Sequence, residues 1–289
     1  MENNQDSDEG CSYRCLIRRM SEDEEGQLFA RVLLPWLAAS PGKVAWLAAL
    51  RERGSVTLPV LEIEDLWELY ALSRLCELLV FETEESALRA PRLSMPELED
   101  FLARLGIDVL RPMHYSAFHH EIVRLVPAQD PAHLPSLLGY EWPCLMLGSL
   151  LLMRGGVSVQ AGREVLAPGI ADAATLYWAY SRPRRPAHDL AHGWGSNSAW
   201  RTAFRRDYAL DGQWHFNVDG TVDLELLAPD AVDEYGLTVA QRVELLVNRS
   251  FITTNREHAD LFPYADRFSA ASLQADDEAR LPFWKRLFA

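Results

Sequence analysis

Cysteine is scarce in this chain, with four in 289 residues. Cys11 and Cys15 stand close together, while Cys76 and Cys144 lie inside apolar segments. A lone Cys-x3-Cys pair with no histidine beside it does not complete a tetrahedral zinc set, and four scattered cysteines make no disulfide framework. Reduced thiols in a cytoplasmic protein are therefore the expectation. Basic residues are also in short supply: 28 Lys and Arg face 42 Asp and Glu, for a net charge of −14. General nucleic-acid binders and membrane-surface binders draw affinity from excess Lys and Arg, so both classes are disfavoured. No apolar run approaches the roughly 18 residues that cross a bilayer. The Gly-x-Ser-x-Gly elbow, the Walker A sequence and a Gly-x-Gly-x-x-Gly after a strand are all missing, which leaves serine-hydrolase, P-loop and dinucleotide readings without support.

What is present is an ordinary globular mix, 48% hydrophobic and 24% charged, which excludes wholesale disorder. Residues 1–20 read as an acidic tail whose first ten residues lack any apolar period. Ser21 and Glu24 form a capping-box pair ahead of Leu28, Val32 and Leu33. Further helices are expected over Gly42–Arg53, from Ile63 to Val80 with an apolar face too wide for a surface helix, and from Pro96 to a C-cap at Gly106. Residues 21–110 thus read as a helical layer. Residues 111–289 read as an α+β domain, with strands over His114–Val126 and Thr175–Tyr180. An Arg154-Gly155-Gly156 hairpin and a second hairpin turning at Asp219-Gly220 are expected there too. Helices follow over Ser198–Tyr208 and from an N-cap at Thr238 to Asn248. The class is α+β: a helical N-terminal layer packed on a mainly antiparallel β-sheet, with additional helices. The closing stretch from Leu281 to Phe288 reads as an amphipathic terminus for docking.

Charge is unevenly spread. Residues 182–206 hold six arginines against the single acid Asp189. Such an island either binds an anion or pairs with acids elsewhere. Gly195, Ser196, Asn197 and Ser198 supply a flexible turn and N-cap side chains for the helix expected next, whose free N–H groups suit an anion. Arg201 and Arg205 at i, i+4 on that helix would close on phosphate or carboxylate. The opposing reading pairs these arginines with acids of the helical layer.

Histidines supply the other chemistry. His188-Asp189-Leu-Ala-His192 places two imidazoles at the spacing that faces one metal on a helix. The run extends to Gly195 in superficial likeness to a metzincin zinc protease. However, Asp189 stands where the base glutamate belongs, Ser198 occupies the third-ligand slot and no methionine follows residue 153. The protease is rejected. What is kept is a general-base or metal role for His188 or His192 with Asp189 orienting, against a purely structural turn. His119 and Glu121, on one face of a strand, would join His188 and His192 in a divalent-metal set if the two segments met.

The leading expectation is an intracellular enzyme or ligand binder for a small anionic molecule, phosphorylated molecules included, with a hydrolytic or transfer step as one option. The alternative is a non-enzymatic acidic protein of immunity or inhibitor type that neutralises a basic protein partner.

Overall fold

The computed structural model describes residues 12–23, 26–83, 91–182, 184–191, 200–255, 262 and 264–272. The chain is α+β and divides into two compact units. The first comprises Met1–Val109, Leu145–Met153 and Gly193–Phe204. The second comprises Leu110–Cys144, Arg154–His192 and Arg205–Ala289.

Helices dominate the first unit. Helix α1 (Tyr13–Glu22) starts at Ser12, whose hydroxyl accepts from the Cys15 N–H at 3.2 Å. Tyr13, Leu16 and Met20 are buried along one side of it. The stretch read as a tail therefore contains a helix, and Ser21 lies in its last turn, bonding the Arg18 carbonyl rather than opening the next helix. A π-turn (Phe29–Leu33) leads into α2 (Leu34–Ala39). Pro35 occupies the first turn of α2, where a missing N–H costs little. Trp36 on α2 is fully buried against Tyr13 and Phe101, with ring centroids at 5.4 and 6.3 Å.

Helix α3 (Pro41–Gly54) buries Leu47 and Leu50, and α4 (Ile63–Glu82) buries residues around most of its girth from Leu69 to Val80. Helix α5 (Met95–Arg104) opens on the reciprocal Ser94–Glu97 box. It closes in a Schellman turn: Ile107 N–H bonds the Leu102 carbonyl, Gly106 N–H bonds the Ala103 carbonyl, and Gly106 sits at φ +74°. Among the described residues no single helix is long and apolar enough to cross a membrane.

Strand β1 spans Asp108–Leu110, and β4 (Cys144–Leu147) and β5 (Leu150–Met153) form an antiparallel hairpin. In the second unit a three-stranded sheet has order β2-β6-β3, from β2 (His120–Pro127), β3 (Ser136–Trp142) and β6 (Gly155–Ala161). Strand β6 runs parallel to β2 and antiparallel to β3. Gly155 and Gly156 therefore do not turn a hairpin. They begin a central strand, and a Cβ on Gly156 would lie 2.3 Å from the Trp142 ring. Close packing is what requires glycine there.

Residues Thr175–Tyr180 form only a short strand, β7 (Leu176–Tyr177), parallel to β8 (Ala187–His188). Trp178 leaves the strand at φ +53°.

The expected hairpin also sits elsewhere. Strands β9 (Tyr208–Leu210) and β10 (Gln213–Phe216) pair across Asp211-Gly212, both at positive φ as a primed turn needs. Asp219-Gly220 lies downstream, and β11 (Val222–Asp223) runs parallel to β12 (Asp266–Ala271), itself antiparallel to β10. Pairing is mixed: among the described strands β9 with β10, β10 with β12, β3 with β6 and β4 with β5 are antiparallel, and β2 with β6, β7 with β8 and β11 with β12 are parallel. Residues 202–207 are not helical, so the helix expected over Ser198–Tyr208 is not formed across its described part. Helix α6 (Val239–Asn248) begins at the expected N-cap Thr238, which forms a reciprocal box with Gln241. Its Glu244 carboxylate gathers the N–H groups of Ile252, Thr253 and Thr254 beyond the helix end.

Candidate functional site

Five of the residues singled out in the sequence, His192, Gly195, Ser196, Asn197 and Ser198, lie outside the described residues, as do the first ten residues and the closing Leu281–Phe288 stretch. The rest separate. Arg201 is exposed in the first unit, its guanidinium 5.7 Å from the Trp67 ring. Arg205 is buried in the second unit. Without a helix between them the two arginines share no helix face, because the i, i+4 relation holds only at helical rise.

His188 on β8 stacks obliquely on Tyr177 at 5.6 Å, and buried Asp189 accepts the Ala191 N–H at 2.7 Å. His119 precedes β2 in a turn, so it and Glu121 are not alternate residues of one strand. Its Nδ1 lies 2.8 Å from the Ser116 hydroxyl. Both Glu121 oxygens are taken by Arg182, at 2.5 and 2.9 Å, within a pair that is almost wholly buried. Among the described residues no group of three or more His, Cys, Asp or Glu side chains is placed to hold a metal ion. The proposed set of His119, Glu121 and His188 is therefore not assembled: the carboxylate is committed to a guanidinium and each imidazole to its own neighbours.

Much of the arginine island is neutralised locally, by acids of its own unit rather than of the helical layer. Arg182 pairs with Glu121 and Arg206 with Asp219. Arg185 donates to the carbonyls of Ala174 and Ile122. Arg205 behaves differently. It belongs to a buried group built around Asp207, which has no solvent exposure.

The strand–turn–strand geometry of β9 and β10 turns Asp207 inward at the foot of β9. Its Oδ1 accepts Arg205 Nε at 2.8 Å and the Asn217 N–H at 2.8 Å, and its Oδ2 accepts Arg249 Nη2 at 2.9 Å. Arg154, at the start of β6, donates to the Val247 carbonyl, and Arg205 donates to the Leu246 carbonyl at 2.8 Å. Two guanidiniums thus meet the last turn of α6, where unpaired carbonyls carry partial negative charge. Arg249 is the αL cap of that helix, at φ +55°, and also donates to the Trp178 carbonyl. The Trp178 indole lies 4.7 Å from the Arg205 guanidinium and edge-on to Phe262 and Tyr264.

Three guanidiniums therefore share one carboxylate in a region closed to water. Burial would raise the Asp207 carboxyl, but the charges of Arg205, Arg249 and Arg154 outweigh it and hold the group down at about 2. Burial, reinforced by the like charge of Arg249, pushes Arg154 down to about 9, still cationic at neutral pH. Burial likewise lowers Arg205 to about 10. The neighbouring groups bring no charge. Burial raises Tyr115 and Cys144 to about 12, and burial with nearby positive charge lowers His119 to about 4 and His120 to about 3.

The donors are also undersubscribed. Among the described residues Arg154 Nε and Nη1, Arg205 Nη1, Arg249 Nε and Trp178 Nε1 are buried with no hydrogen-bond partner. Native interiors satisfy nearly all such groups.

The sequence reading reached only Arg205 of this cluster. Arg154 and Arg249 carried a different signal, a single charge inside apolar runs (Leu-Leu-Met-Arg-Gly-Gly and Leu-Val-Asn-Arg-Ser-Phe). Fold and site together define an α+β chain with a buried, polycationic centre in its second unit. The chain matches no family model, no curated protein and no solved structure.

Proposed function

We propose that the chain binds a small anionic molecule at the Asp207 cluster, with Arg154, Arg205 and Arg249 as charge partners and the Trp178 indole N–H as an additional donor. One observation carries the reading: three buried guanidiniums stand against one carboxylate, with four of their nitrogens unsatisfied. Uncompensated buried charge is expensive, several kcal/mol per ion even after relaxation. A bound anion removes that cost and fills the vacant donors. The free thiols of Cys15, Cys76 and Cys144 fit a reducing, cytoplasmic setting for such a binder.

Thermal denaturation of the whole chain against a panel of sodium salts tests this. A ligand of the folded state at 100 times its Kd contributes about 2.7 kcal/mol and raises the melting temperature accordingly. Anions of the recognised class should exceed chloride at matched ionic strength. If none does, the cluster is a structural device that ties α6 to β6 and β9, and the binding proposal fails. A chain that instead acts on a basic protein partner would give no anion shift.

A further inference from the structure

We infer that the Asp207 cluster takes a tetrahedral dianion, a phosphate or phosphomonoester group, in preference to a carboxylate. The inference rests on the anion-site reading above and adds three arguments to it.

The first is charge. Asp207 offsets one of the three guanidiniums, and the carbonyls of Leu246 and Val247 offset part of another, since a helix C-terminus presents only about half a negative charge. The remainder is about one and a half positive charges: a monocarboxylate leaves about half a positive charge with no acceptor, whereas a dianion leaves about half a negative charge among the unpartnered N–H donors.

The second is donor geometry. The unpartnered nitrogens come from four side chains on separate segments: the head of β6, the entry to β9, the cap of α6 and the exit of β7. Two coplanar carboxylate oxygens serve one fork. Donors carried by four side chains on separate segments suit an oxyanion with several oxygens to share among them, and guanidinium forks suit phosphate in particular.

The third is strain. Four non-glycine residues among those described adopt positive φ, and three of them, Trp178, Asn217 and Arg249, contact this cluster. Trp178 and Arg249 hold unused donors, while Asn217 gives its N–H to Asp207. Left-handed backbone in bulky residues costs about 1–3 kcal/mol each and persists where a site over-determines it.

The test is calorimetric titration and thermal denaturation of the full-length chain with sulfate, inorganic phosphate, phenyl phosphate, acetate and nitrate, each against chloride at matched ionic strength, at pH 5.5 and pH 8. Sulfate is a dianion at both values, whereas phosphate and its monoesters acquire their second charge near pH 6 to 7, as phosphoserine does at about 6. Sulfate is expected to stabilise equally at both. Phosphate, with its second pKa near 7, should gain affinity by about thirtyfold between pH 5.5 and pH 8, and phenyl phosphate, with its second pKa near 6, by about fourfold. His119 and His120 stay neutral across that window, so they do not mimic the effect.

Acetate or nitrate matching sulfate would overturn the dianion inference and leave anion binding standing. No anion exceeding chloride would overturn both. A larger effect from phenyl phosphate than from phosphate assigns the site to an organic phosphomonoester, and equal effects assign it to the free ion. Trp178→Phe keeps the ring and removes the indole N–H. It should weaken sulfate binding about tenfold, the usual worth of one hydrogen bond to a charged group. Arg249→Lys keeps the charge and removes Nε, with the same expectation. Unchanged sulfate affinity in both variants would place the anion elsewhere and refute the assignment.

Discussion

Replacing Asp207 by Asn removes the one carboxylate that three buried guanidiniums share while leaving its shape nearly unchanged. The substitution isolates charge from packing. Asp207 is wholly buried, Arg205 is 1% exposed and Arg249 9% exposed, so water cannot screen what the variant leaves behind. Removing one member of a buried ion pair costs about 3–5 kcal/mol. For a domain of this size that is a fall of about 6–20 °C in melting temperature. The Asp207 carboxyl is held below its unfolded value near 3.9, so its contribution is present above that pH and drains away as pH falls toward about 2. The gap between wild type and Asp207→Asn should therefore be full at neutral pH and narrow as pH falls below about 4. Urea denaturation followed by circular dichroism measures the gap. Sulfate should recover part of it, because an exogenous dianion then replaces the lost counter-charge. A loss under about 1 kcal/mol at pH 7, the range of an ordinary surface change, would show that the guanidiniums are not held by this carboxylate.

Two other expectations follow from the second unit. His119 and His120 are held neutral, below their unfolded value of about 6.5. Stability should then be complete above that pH and fall as pH drops toward about 4, by up to about 1.4 kcal/mol per unit for each ring. His120→Gln should flatten that slope between pH 6.5 and pH 4.5 in urea titrations, and a slope unchanged from wild type would remove His120 from the account. Gly156→Ala should cost about 3 kcal/mol because its methyl meets the Trp142 indole, which is itself fixed by a 3.0 Å bond from Nε1 to the Arg154 carbonyl. Gly139→Ala in neighbouring β3 meets nothing within 4 Å and serves as the control. Equal melting temperatures for the two variants would contradict the packing described.

The parts of this fold that were legible in the sequence are those whose cause is local. Pro96 in a first turn, Thr238 as an N-cap and Gly106 as a C-cap each act within one helical turn, and the structure uses each as its residue type suggests. The same rule misled at Ser21, where an equally good local pattern lost to Ser12. The burial of Tyr13, Leu16 and Met20 on the preceding turns decides the matter, and that is tertiary. Gly155-Gly156 suggests a turn because glycine permits turns, but Gly156 is required by the Trp142 ring packed against it. Asp219-Gly220 does lie in a turn, closed by the Gly220 N–H on the Asn217 carbonyl, yet no hairpin forms across it, and the Asp266 backbone lies against Gly220.

The arginines teach the same point about charge. Density in the sequence says little, since Arg206 is answered by Asp219 13 residues away and Arg182 by Glu121 61 residues away. Arg249 finds its counter-charge through the fold as well, in an Asp207 it shares with Arg205. Arg154 bonds the Val247 carbonyl and meets Asp207 only through its field. Sequence position records where a charge is. Only the folded chain shows which charges remain unanswered, and the proposed anion site rests on those.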